Sequence, residues 1–357
     1  MLTFNQIVYK DTIPNSIEVV LVGDVGGTNS NFGIFQCIDN KNVLLTSLHF
    51  KSQQITHFTV VIEQILTHLK TQYNFSVSTI CLGAAGVVSQ TRDYCKPTNL
   101  PIAIDAKEIG ARTNVPCVFI VNDFEVIGYG LTGINQKDLV LINKGKSQED
   151  ANKAIVGAGT GLGKCIMFWE VDRKMYVPVA SEGGHADAVV QCDIEYELVR
   201  FLQKLHGNSC AISWEDVLSG KGIQNMYKFF LARNTNEHAS AQLVQGLMPD
   251  EIFNSRHLDT HAWNTFELYA KFYARCIKNF ALDALARGGV YIAGGIAAKN
   301  LQLFEQKIFL DEFINCGKQQ ELLKNIPIYV ITDYNISLYG AAEYVRIEKM
   351  CLGNGAF

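Results

Sequence analysis

No stretch of the 357-residue chain is apolar for long enough to cross a membrane as a helix. The longest small and apolar run, near residues 288–298, falls far below the ~20 residues a span needs. Nor is there a block rich in Lys or Arg: 31 basic and 35 acidic residues leave a net charge of −4. Without a basic patch to release counterions, no nucleic-acid partner is expected. Charged residues are sparse at 18% while hydrophobic ones reach 48%, the balance of a globular chain and not a disordered one. Ten cysteines occur without a CxxC pair. Single thiols such as Cys37, Cys81, Cys95, Cys117 and Cys165 fit free, mostly buried groups in a reducing compartment, and not a disulfide framework or a zinc cluster. Residues 1–16 lack the apolar core of a secretory signal, and Gly355-Ala356-Phe357 is not a peroxisomal tag. A cytoplasmic location is the expectation.

Two familiar phosphate-binding loops are also missing. Gly145-Lys146-Ser147 ends a Walker A pattern, but Val140 stands where its first glycine belongs. Gly163-Lys164 fails in the same way, with Ala158 upstream and Cys165 downstream. A dinucleotide fingerprint fails too: from Gly157 its last glycine falls on Leu162, and from Gly159 on Lys164.

What the chain does have is glycine, 29 residues against only 7 prolines, and many of the glycines follow β-like runs. Such turns at strand ends suit ligand binding in an α/β sheet. A strand over 18–22 turns at Asp24-Val25-Gly26-Gly27, and 31–36 is its hairpin partner. Helical spacing marks 55–69; 79–83 and 118–121 read as strands, the latter ending in Asn122-Asp123 before a helix over 124–129. The theme repeats with a strand over 154–156, the turn Gly157-Ala158-Gly159-Thr160-Gly161 and a returning strand over 165–169. Helices follow over 194–205, 221–233 and 263–287, the last read as a core or dimer helix, with strands over 289–293 and 328–331. This weak duplication implies two half-proteins, each presenting a Gly-rich hairpin to a shared cleft. The length allows one large or two medium domains.

In the first hairpin, Asp24-Val25-Gly26-Gly27-Thr28-Asn29, the glycines let backbone N–H groups approach phosphate oxygens, Thr28 adds a donor, and Asp24 can hold Mg²⁺ through water. The plainer alternative is a tight hairpin with Gly at positive φ. Asp123 is either a general base at a strand end or the N-cap of the next helix. Ser213 and Asp216 have the spacing of a capping box around Glu215.

Taken in order, these segments resemble the bacterial-type glucokinase family of the sugar kinase/actin/heat-shock ATPase superfamily. Residues 21–29 are similar to its first phosphate motif, Val121-Asn122-Asp123-Phe124 to its catalytic motif, and Gly157–Gly163 to its second phosphate motif. Glu182-Gly183-Gly184-His185 and residues 214–220 resemble its sugar-binding segments, Tyr291-Ile292-Ala293-Gly294-Gly295-Ile296 its adenosine motif, and Gly340-Ala341-Ala342 its closing helix. The resemblance covers nearly the whole chain, from about residue 18 to 346.

It implies a two-lobed α/β actin-like ATPase (ribonuclease H-like) fold with a sugar- and ATP-binding cleft between lobes that close on the sugar. The small domain would be 1–132 plus 336–357, the large one 133–335. It implies ATP-dependent phosphorylation of the glucose 6-hydroxyl and a homodimer. Asp123 would be the base; Asn99, Asn122, Glu182, His185 and Glu215 would hold the sugar. Gly23, Asp24, Gly26, Gly27, Thr28, Asn29, Gly159, Thr160, Gly161, Gly294 and Gly295 would hold the nucleotide, with Asp24 toward Mg²⁺. Lys164 and Lys221 can be read as phosphate partners but fit solvated surface lysines better, and His206, His257 and His261 read as surface or core histidines. The chain departs from the family at Asn31, where Arg is frequent. It also lacks the Cys-rich zinc motif of the ROK branch, having only Cys192 and Cys210 there. Another hexose as acceptor, or an actin-like ATPase switch without a sugar site, are the alternatives; the switch has no use for Glu182-Gly183-Gly184-His185. About 17 residues before the first strand cannot hold the helix-turn-helix of a sugar-responsive repressor.

Overall fold

The computed structural model describes residues 2–10, 16–207, 211–234 and 247–353. Cys210 and the C-terminal tripeptide lie outside the described residues. The chain divides into two compact units: Met1–Ile134 with Tyr176–Ala180 and Tyr334–Phe357, and Asn135–Met175 with Ser181–Asp333.

The strands of the first unit are β1 (Asn5–Val8), β2 (Glu18–Val25), β3 (Asn29–Ile38), β4 (Lys41–Lys51), β5 (Ser76–Ala84), the short pair β6 (Tyr94–Cys95) and β7 (Ile104–Asp105), and β8 (Cys117–Asn122). Six of them form one sheet in the order β1-β4-β3-β2-β5-β8. The β2, β5 and β8 strands are parallel; β1, β4, β3 and β2 are successively antiparallel. β2 is apolar on both sides because both faces of the sheet are covered. On one face Val19, Leu21 and Val25 cluster with Phe58, Ile62 and Ile65 of α1 (Phe58–Tyr73) and Ile109 of α2 (Ala106–Thr113). On the other, Val22, Phe35, Cys81 and Val121 cluster with Val126 of α3 (Asp123–Leu131) and with Leu338, Ala341 and Val345 of the C-terminal helix, Ile336–Gly353. That helix crosses α3 closely. A Cβ on Gly340 would overlap Val126 O, and one on Gly130 would overlap Ile336 O.

The second unit carries β9 (Leu139–Asn143), β10 (Lys153–Ala158), β11 (Leu162–Glu170), β13 (Val290–Ala293) and β14 (Ile328–Ile331), in the sheet order β11-β10-β13-β14-β9, while β12 (Met175–Ser181) falls mostly within the Tyr176–Ala180 stretch counted with the first unit. The duplication seen in the sequence is a duplication of topology. A hairpin (β2-β3; β10-β11) is followed by two strands parallel to its first member (β5 and β8; β13 and β14). Helices α4 (Asp193–Leu205), α5 (Trp214–Val217), α6 (Gly220–Asn234), α7 (Pro249–Ser255) and α8 (Thr260–Asp283) precede β13. Phe266, Tyr269, Phe272, Tyr273 and Ile277 of α8 pack with Ala154 and Val156 of β10 and with Val290 and Ile292 of β13.

The 263–287 helix starts earlier and stops at Asp283, because Leu285 adopts φ 45° and turns the chain. α8 also buries two cations. Arg275 is 2% exposed and donates from Nη1 to Glu195 Oε2 (2.7 Å) and from Nε to Glu312 Oε1 (3.0 Å); Lys278 Nζ reaches the same Glu312 oxygen (3.1 Å). Two carboxylates against two cations keep this buried cluster neutral.

The close helix crossing is testable. Gly340→Ala is expected to destabilise the protein by about 2–3 kcal/mol, because the colliding atom belongs to the backbone and cannot swing aside. Gly133→Ala, whose Cβ would enter open space, should stay within about 0.5 kcal/mol. Urea unfolding measures both; a Gly340→Ala protein as stable as wild type would contradict the crossing.

Candidate active site

In the first unit the parallel strands end together. Asp24 of β2 pairs with Gly83 of β5, and Ala84 pairs with Asn122 of β8. The first glycine hairpin, Asp24, Asn122 and Asp123 therefore share the C-terminal edge of one sheet, the usual ligand edge of an α/β fold.

The hairpin loop is closed by Ser52, a buried residue just after β4. Its Oγ donates to Gly26 O (2.6 Å) and contacts Ser30 Oγ (2.8 Å), its N–H donates to Thr28 O (3.0 Å), and Gly26 N donates to Asn29 O (3.1 Å). Neither Gly26 nor Gly27 has positive φ, so the tight-hairpin alternative does not account for them. Gly23 answers to packing: a Cβ there would stand 2.7 Å from Leu82 Cδ2. Asp24 is half-buried, and burial pushes its carboxyl above the usual range although Ser337 Oγ donates to its Oδ2 (2.7 Å). Ser337 was not legible in sequence; 313 positions separate it from Asp24.

At the end of β8 the capping question is decided. Asn122, not Asp123, is the N-cap of α3: its Oδ1 accepts from Phe124 N (2.9 Å) and Glu125 N (3.2 Å). Its Nδ2 donates to Gly86 O (3.2 Å), and the residue is 8% exposed. Asp123 takes the first helical position. Below it, buried Glu125 binds Arg92 through two bonds (2.6 and 3.2 Å), with the guanidinium 5.2 Å from the Tyr344 ring. Sequence reading missed both residues. Asn99 is exposed in the turn after Pro97, and Thr98 N donates to Ala85 O (3.0 Å), which fastens this turn to the end of β5.

In the second unit, Gly159 N donates to Gly161 O (2.8 Å), Gly220 N donates to Gly159 O (2.9 Å), and a Cβ on Gly159 would meet nothing within 4 Å. Glu215 Oε2 accepts from Leu162 N (2.8 Å), and a Cβ on Gly161 would collide with that oxygen. Ser213 and Asp216 form the expected capping box, with Ser213 N donating to Asp216 Oδ2 (2.8 Å) and Asp216 N donating to Ser213 Oγ (3.3 Å). The box and Glu215 thus coexist on one short helix. Gly184 abuts Leu162 O with no room for a Cβ. Glu182 and His185 flank it, half-exposed, with His185 Nε2 3.8 Å from Glu182 Oε2. Trp214 N donates to Ala186 O (2.9 Å), so the two predicted sugar segments lie side by side. Gly157 pairs with Ala293, which sets the Gly294-Gly295 turn beside the second glycine loop. Gly294 needs its glycine at φ 93°, with Ala158 O 2.5 Å from a Cβ, whereas Gly295 faces open space.

One expectation is overturned. Lys164 is not a solvated surface lysine: it is 5% exposed, because its position on β11 turns it toward Trp214 and Phe280. Lys221 is exposed as expected. Among the described residues no group of three or more His, Cys, Asp and Glu gathers to hold a metal, and no helix is long and apolar enough to cross a membrane.

A family model described as Glucokinase matches residues 21–348. A glucokinase of Nostoc punctiforme is 30% identical over 343 residues, covering 91% of this chain and 98% of the relative. Among solved structures, a glucokinase from an Antarctic psychrotroph matches with TM-score 0.75 at 25% identity, over 92% of this chain and 99% of that one. A ROK family glucokinase from Streptomyces griseus, in complex with glucose and AMPPNP, has TM-score 0.61 at 19% identity, over 91% and 98%. The fold is the α/β actin-like ATPase fold of these sugar kinases. Among the sheet strands the family match leaves out only β1 and the start of β2, and the chain belongs to the glucokinase family.

Proposed function

We propose that this chain transfers the γ-phosphoryl group of ATP to the 6-hydroxyl of D-glucose, giving glucose 6-phosphate and ADP at the entry to glycolysis. Membership of the glucokinase family makes it an enzyme, a phosphotransferase. The observation that carries the mechanism is the division of labour at the start of α3. Asn122 caps the helix, and Asp123 takes its first turn next to it at the ligand edge of the sheet. Asp123 acts as the general base that accepts the proton of the attacking hydroxyl.

Glu182, His185 and Glu215 hold the sugar. Carboxylates accept from vicinal hydroxyls, and an imidazole can both accept and donate. Their side-by-side segments and the half-exposed Glu182 and His185 support this assignment. Asn99 and the amide of Asn122 add further contacts to the sugar. The loops around Gly26-Gly27-Thr28-Asn29 and Gly159-Thr160-Gly161 receive the phosphates. Gly26 and Gly27 without positive φ, and open space at Gly159, support close approach of a ligand to the backbone. Gly294 and Gly295 lie against the adenosine. ATP as donor is supported by the Streptomyces griseus neighbour, which holds AMPPNP. The family resemblance alone supports a homodimer.

The donor set fits Mg²⁺. In phosphoryl transfer this ion is held by one or two carboxylates, waters and the phosphates, so no protein cage is required. Asp24 would hold it through water, and its carboxyl, pushed up by burial, would be relieved by a cation nearby. When bound, Mg²⁺ neutralises charge on the phosphate oxygens.

Asp123→Ala should lower kcat by roughly 10²–10⁴ while glucose still binds, the usual scale for a lost general base. A coupled assay with calorimetric glucose binding measures both, and near-normal turnover would remove Asp123 from the mechanism. Gly161→Ala, whose methyl displaces the Glu215 carboxylate, should raise the glucose KM by roughly 10- to 100-fold. An unchanged glucose KM would show that Glu215 does not hold the sugar.

A further inference from the structure

Lys164 is buried on β11, opposite Val156 of β10. Its Nζ stands 5.8 Å from the Trp214 ring centroid and 5.4 Å from that of Phe280. A Cβ on Gly183 would lie 3.1 Å from Lys164 Cδ and 3.7 Å from Nζ, so the side chain runs along the bare Cα of that glycine. The thiol of Cys276 is buried nearby; burial pushes it up to about 11, and the charge of Lys164 opposes that rise. Among the described residues Lys164 makes no ion pair with a carboxylate.

A buried cation without a counter-ion is a cost to folding. Ring faces return part of it, about 2 kcal/mol for desolvated contacts. Met has nearly the same length and would fill the space without the charge. Stability therefore does not explain this residue, and what it touches does. Gly183 is at the centre of Glu182–His185. Trp214 directly precedes Glu215. Leu162, two residues before Lys164 and so on the same side of the strand, bonds Glu215 through its N–H and abuts Gly184 through its carbonyl. The segments bearing Glu182, His185 and Glu215 converge on one ammonium.

We propose that Lys164 is a positioning residue of the sugar-binding face: its buried ammonium, lodged against Gly183 and the Trp214 and Phe280 rings, holds residues 182–186 and 214–218 in register. The inference rests on the assignment of Glu182, His185 and Glu215 to the sugar. Attraction from the ring faces fixes the distance of Trp214 from the strand, and contact along Gly183 fixes the neighbouring segment. The ring-face attraction is lost with the charge even when the volume is kept.

The test is Lys164→Met in the full chain, read in two ways. By hydrogen exchange, amides in 182–186 and 214–218 should exchange faster than in wild type, with the rest of the second unit unchanged. By kinetics, the glucose KM should rise by about tenfold or more with the ATP KM within about twofold, and Tm should stay level or rise. Unchanged exchange in both segments overturns the proposal whatever the activity. So does a wild-type glucose KM, or an equal rise in both KM values with a lowered Tm, which marks general loosening. If Lys164→Met does not fold, Lys164→Arg decides: retained charge must keep the glucose KM below about threefold of wild type. A wild type that phosphorylates no glucose defeats the proposed function and leaves the exchange result to judge Lys164.

Discussion

The hydrogen bond from the Leu162 amide to the Glu215 carboxylate is the constraint on which the second unit turns. It is charge-assisted, and so among the stronger contacts available to a backbone N–H. Its donor begins β11 directly after the second glycine loop, and its acceptor lies on α5. Gly161 has no side chain because that carboxylate occupies the space, and Gly184 has none because the Leu162 carbonyl does. The glycines here are thus of two kinds. Some, such as Gly161 and Gly184, are bare so that protein can approach protein. Others, such as Gly159 and Gly295, face open space and are bare toward whatever binds.

The first unit solves a similar problem with a helix cap. Asn122 satisfies two N–H groups of α3 and holds Gly86, and its neighbour is thereby fixed at the strand end. The Arg92–Glu125 pair braces the same turn from beneath. Ser52 closes the glycine hairpin at the other side of this edge. Among the residues proposed to bind ligand, Asp24 and Glu215 each accept a hydrogen bond from a distant part of the chain, from Ser337 and from the Leu162 amide.

Much of the fold was readable because glycine turns punctuate it. The strands and returning strands at 18–36 and 154–169 stood out, as did the parallel strands that follow them. β4 escaped because both its faces are covered over Leu44–Leu48, which erases the alternation that marks a strand. β1 escaped because four polar-flanked residues on a sheet edge carry no periodic signal. At Asn122-Asp123 two good capping residues stand side by side, and sequence cannot say which begins the helix. Lys164 was misread for a related reason. A lysine between Gly163 and Cys165 says nothing about which face of β11 it takes. Ser337 and Arg92 act across long separations in the chain, where no local pattern could announce them.

We propose that the second glycine loop and Glu215 are one mechanical piece, so that nucleotide bound at the loop and sugar bound at the acid bias each other. The direct measurement is calorimetric affinity of the wild-type protein for a non-hydrolysable ATP analogue, with and without saturating glucose. Coupling through a shared bond predicts that glucose tightens analogue binding by about fivefold or more. An affinity indifferent to glucose would contradict the account.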